Sequence, residues 1–128
     1  MTLTLKQCYH LLILAVCLML SCFILWYRGP GWFYLRGYGG DVVVMIFIYF
    51  LVRLVSKLAA WKIALLTFLF ACLVETNQLW WSVFTRHSAL ATIVAGTTFD
   101  WLDLLAYALG TLLAIGLDML CSRYVQIR

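Results

Sequence analysis

The chain has 128 residues, 66% of them hydrophobic and only 11% charged. That leaves too little polar surface for a water-soluble domain, and a mean hydropathy of +1.04 places the chain among integral membrane proteins. The net charge of +4 does not indicate nucleic acid, because the basic residues are scattered at segment ends, where they set topology.

The first apolar segment begins like a signal peptide, with Lys6 followed by the run from Leu11 to Leu20. "LMLSC", ending at Cys22, even resembles a lipoprotein cleavage box. The apolar run continues to Tyr27, however, which is long enough to span a bilayer, so an uncleaved first helix over about 9–27 is expected. "RGPGWFYLRGYGG" then breaks the helix, since clustered glycines and the only proline do not continue one. Further spans are expected over about 41–57, 61–81 and 99–122. The predicted fold is all-α: an integral membrane bundle of four transmembrane helices in a single domain over 1–128. Between the third and fourth spans, "SVFTRHSALATIVAGT" is too apolar for an ordinary loop and too short to span and return. It is read as an interfacial segment or one that dips into the bundle under protein cover.

An even number of spans puts both termini on one side, with Lys6, Arg53, Lys57, Lys62, Arg123 and Arg128. Arg28, Arg36 and Arg86 fall on the other side, so the positive-inside rule predicts cytoplasmic termini in a bacterial inner membrane. Trp26, Tyr27, Trp32, Phe33, Tyr34 and Tyr38 crowd the first outer loop, and Trp80, Trp81 and Trp101 flank the second. They read as interface anchors. The five cysteines form no CxxC and read as small hydrophobes, with no metal-ligand spacing among them.

The carboxylates carry the functional signal. Helix rise places Glu75 about 20 Å, Asp41 about 24 Å and Asp103 about 30 Å from the cytoplasmic boundary. They share the outer layer with Asp100, Arg28, Arg36, Arg86 and His87. An ionisable group costs about 2.5–3.5 kcal/mol in the membrane, so such groups are kept where they face a cavity, a partner or a substrate. Plainer readings exist for each. Asp41 can be an N-cap, and Asp100 or Thr98 can cap the fourth helix, with Asp103 then in a first turn favoured by the helix dipole. Glu75 lies mid-helix, one turn from Gln78, and its plain reading is a structural ion pair with Arg28, Arg36 or Arg86. Ala106, Gly110 and Ala114 form a small-residue stripe for helix packing, continued by Asp118, which is expected to pair with Arg53, Lys57 or Lys62.

The stretches "RGYGGD" (36–41), "ETNQLW" (75–80), Arg86 and "FDWLDLLAYALG" (99–110) resemble a bacterial membrane family known only as a domain of unknown function, number 2809 in its series. The likeness covers most of the chain from Arg36 to Gly116. More distantly, the chain is similar to the VanZ-like family associated with teicoplanin resistance. That family has an early Asp, a Glu-x-x-Gln, an Arg and an Asp-x-x-x-Asn-x-x-Gly. Here Tyr107 stands in place of that Asn, and no Lys follows Asp41. The resemblance implies a site formed by Asp41, Glu75, Gln78, Arg86, Asp103, Tyr107 and Gly110, without supplying an activity.

Three functions fit these residues. In the first, an outer polar pocket binds an anionic lipid headgroup or a lipid-linked envelope precursor. Arg28, Arg36 and Arg86 would hold phosphate, while Glu75, Asp103 and Gln78 orient the arginines or accept from sugar hydroxyls. In the second, the protein is an intramembrane enzyme on such a lipid, with Glu75, Asp103 or His87 as general base. Neither GxSxG nor HExxH is present. In the third, Glu75 is the proton site of a small transporter that would need to form a homo-oligomer. No cofactor is indicated, although a divalent ion between Asp41, Glu75 and Asp103 would suit a pyrophosphate. The expected partners are membrane lipids.

Overall fold

The computed structural model describes residues 3–84 and 101–127, the side chains of 78–84 excepted. Within them, α1 spans Leu5–Trp26, α2 Gly40–Val55, α3 Ala60–Phe84 and α4 Trp101–Ile127. Four helices are long and apolar enough to cross a membrane, and no strand occurs among the described residues. Large apolar side chains such as Leu12, Met19, Phe23, Leu73, Leu112 and Leu120 are exposed along every helix. A water-soluble protein hides such faces, whereas a multi-pass membrane protein turns them to lipid.

α1 starts four residues earlier than expected. Thr4 Oγ1 accepts from the Gln7 N–H, and the Thr4 N–H donates to Gln7 Oε1 at 2.9 Å. This reciprocal capping box satisfies donors that apolar periodicity does not reveal. α3 and α4 likewise run past their expected ends, to Phe84 and Ile127.

The largest departure is in "RGPGWFYLRGYGG". Only the part around Pro30 is a break, and the Tyr27 hydroxyl donates to the Pro30 carbonyl across it at 3.1 Å. Gly31 adopts φ +72°, a left-handed conformation glycine tolerates. From there a helical turn (Trp32–Tyr34) leads into a π turn (Leu35–Gly39) that runs straight into α2. The glycines here widen a helix instead of ending it. Trp32, Phe33, Tyr34 and Tyr38 therefore stand on helical turns rather than in a loop, and the apolar span begins at Trp32. Asp41 is not an N-cap: Gly39 holds that position, and Asp41 lies in the first turn.

α2 and α4 form the centre of the bundle. α1 packs on α2, while α3 packs on both α2 and α4. Leu14, Tyr49, Phe50, Ile63, Ala64 and Ala114 make one core cluster, and Cys17, Ile24 and Val43 a second. The Tyr9 and Tyr124 rings meet at 5.8 Å, so the start of α1 and the end of α4 share one end of the molecule, here termed the termini end. α2 and α4 begin at the far end.

Candidate functional site

Three helices bring carboxyls together at the far end. Asp41 occupies the first turn of α2 and Asp103 the first turn of α4, where the helix dipole favours negative charge. Their side chains are in hydrogen-bond contact. A carboxyl–carboxyl hydrogen bond requires one hydrogen between the two groups, so the pair both donates and accepts. Glu75 enters from α3 and is buried, with 4% of its surface exposed. Tyr107 Oη, one turn beyond Asp103 on α4, donates to Glu75 Oε2 at 3.2 Å. Asp41 also lies close enough to Glu75 to interact with it electrostatically.

Gly110 sets the spacing of this end. A Cβ at Gly110 would stand 2.8 Å from both Met45 Cβ and the Val42 carbonyl oxygen. α4 therefore approaches the α2 backbone closely just beside Asp41, as small residues permit between membrane helices. Ala106 and Ala114 are buried along the same helix.

Arg28 and Arg36 precede α2 in the chain. The Arg28 guanidinium sits over the Trp32 ring at 5.6 Å from its centroid, and both Arg28 and Arg36 are exposed. Among the described residues neither forms an ion pair with a carboxylate. The Gln78 side chain, Arg86, His87, Thr98 and Asp100 lie outside what the structure describes, as does most of the segment between the third and fourth spans. Among the described residues no three of His, Cys, Asp and Glu come together in a way that could hold a metal ion.

Below the Glu75–Tyr107 contact, α3 and α4 leave an apolar groove of about 420 Å³. Trp61, Ala64, Leu65, Phe68, Thr111 and Leu112 line it. Its polar member, Thr111, spends its hydroxyl on the Tyr107 carbonyl at 2.8 Å, so the wall presents mainly hydrocarbon.

The model for "Protein of unknown function (DUF2809)" matches residues 30–111. The chain belongs to the DUF2809 family. The DUF2809 match takes in Asp41, Glu75, Asp103 and Tyr107, and it agrees with the family the motifs resemble. No curated protein and no solved structure matches the chain.

A second polar cluster occupies the termini end. Tyr49 Oη donates to Asp118 Oδ2 at 2.8 Å, and Arg53 Nε lies 3.0 Å from the same oxygen. His10 Nε2 stands 3.5 Å from Asp118 Oδ1. The Asp118–Arg53 pair agrees with the sequence expectation, whereas His10 and Tyr49 were not foreseen. The available signal was a histidine inside an apolar run, and a tyrosine one turn from Arg53.

Proposed function

We propose that this protein binds the headgroup of a membrane lipid, or of a lipid-linked envelope precursor, at the far end of its bundle. The observation that carries the reading is the convergence of Asp41, Glu75, Asp103 and Tyr107 from three helices within an apolar chain. Such groups are costly in a membrane and suit hydroxyl or amine donors on a headgroup. Arg28 and Arg36, exposed nearby in sequence, together with Arg86, would take its phosphate, and Tyr107 and Gln78 would complete the polar wall. The groove between α3 and α4 would take an acyl chain, since it begins one turn from Tyr107. The VanZ-like resemblance favours the same envelope setting. The basic residues favour a bacterial cytoplasmic membrane with both termini inside, which puts this end at the outer face.

The test is lipid mass spectrometry on protein purified in its native membrane. A defined anionic lipid or lipid-linked saccharide should be enriched at least about tenfold over bulk lipid. That enrichment should be lost in Arg86→Ala and in the Glu75→Gln, Asp103→Asn double variant. No enrichment, or retention by the double variant, would overturn the reading.

The burial of Glu75 beside a tyrosine hydroxyl favours one second reading, an enzyme in which Glu75 or Asp103 removes a proton from water or from a headgroup hydroxyl. Product release from a lipid pyrophosphate, abolished in Glu75→Gln and Asp103→Asn while lipid is still retained, would distinguish it.

A further inference from the structure

The cluster at the termini end is not accounted for by lipid binding at the far end. Asp118 lies fifteen residues beyond Asp103 on α4, about 22 Å along the helix. The two polar sites are separated by the apolar cluster of Leu14, Phe50, Ile63, Ala64 and Ala114. His10 and Asp118 also fall outside the family-matched residues 30–111.

Its charge pattern is unusual for a structural clip. Asp118 is 2% exposed and Arg53 lies 3.0 Å away, so one carboxylate already faces one guanidinium. Both Tyr49 and Arg53 converge on Oδ2. The other oxygen, Oδ1, faces His10 Nε2 at 3.5 Å, longer than a well-formed hydrogen bond. His10 is itself only 4% exposed and packs on the Phe50 ring at 5.4 Å. An apolar side chain would fill that space, and the charge balance does not need the imidazole. What a histidine adds is a nitrogen that gains or loses a proton near neutral pH, aimed at a buried carboxylate oxygen.

We propose that His10 and Asp118, with Arg53 and Tyr49, form a proton-binding site at the termini end of the bundle. A proton taken up on Nε2 is shared with Oδ1, and the Asp118–Arg53–His10 group goes from neutral to a single positive charge. No bond other than N–H forms, and the proton comes from bulk water on that side. The groups facing His10 are Lys6 on its own helix, Tyr49, Phe50 and Arg53 on α2, and Asp118 on α4. Cys121 lies close to Asp118. The charged form draws α1 towards α4, so protonation is read out as helix packing.

The test uses the full chain in lipid nanodiscs with its histidine rings labelled with nitrogen-15. The sequence has 2 histidines, so His87→Gln leaves His10 as the sole signal. The imidazole should show one reversible protonation step between about pH 5 and 8. Asp118→Asn should displace that step by about one pH unit or more. If Asp118→Asn does not fold, Tyr49→Phe, which removes only the hydroxyl on Oδ2, should displace it by a smaller amount. A ring fixed in one protonation state from about pH 5 to 8 would overturn the proposal. So would a step unchanged in the folded variants. Lipid retention plays no part in this readout, so the outcome is independent of the far-end site.

Discussion

Single atoms decide how close the helices come. The Cβ of Gly110→Ala would press on Met45 and on the Val42 backbone, neither of which is a flexible side-chain tip. Forced separation of α2 and α4 should cost about 1–3 kcal/mol, read as a lower midpoint of thermal unfolding in detergent. Because Val42 adjoins Asp41, the same substitution should weaken lipid retention. At the opposite end, Arg53→Ala strips Asp118 of its cation while leaving the carboxylate buried. Breaking such a pair should cost about 3–5 kcal/mol by the same measurement. Replacing Asp118 with Leu in the Arg53→Ala background should restore part of the loss, since the uncompensated charge is then gone.

At the scale of elements, helix ends carry information that apolar periodicity does not. The Thr4–Gln7 box adds the first turn of α1, and that turn helps hold His10 against Asp118. Thr4→Ala should destabilise this end by about 1 kcal/mol. Hydrogen exchange should quicken at the amides of Gln7 and Cys8, with little change beyond Leu14. The π turn Leu35–Gly39 has a different consequence. It carries Arg36 and the aromatic residues into one continuous helical run with Asp41. Glycines that read as a terminator in sequence are here tolerated within the helix. Backbone hydrogen bonding inside a membrane favours continuation over an open loop. The helix hydroxyls follow the same rule: Ser21, Thr67, Thr76 and Thr111 all donate to carbonyls of the preceding turn.

For the whole molecule, the distribution of basic residues sets the expected orientation. Lys6, Lys57 and Lys62 are half of the six basic residues on the termini side, against three on the other. In the proposed orientation the unaltered protein should give cytoplasmic reporters at both ends, and changing all three to Gln removes the bias and should give a mixed population. Unchanged orientation would show that charge does not set it. Much of the architecture was already present in the linear chain. Long apolar runs oblige the backbone to bond internally, so four apolar helices follow from composition. That Asp118 pairs with Arg53, Lys57 or Lys62 was legible because a buried charge requires a partner, and the fold selects Arg53 among them. Tertiary structure alone decided that Tyr107 points to Glu75, that Asp41 meets Asp103, and that His10 faces Asp118. Those contacts join residues far apart in the chain. They depend on rotation of each helix about its axis, which a nearly uniform apolar surface leaves unspecified until the helices pack.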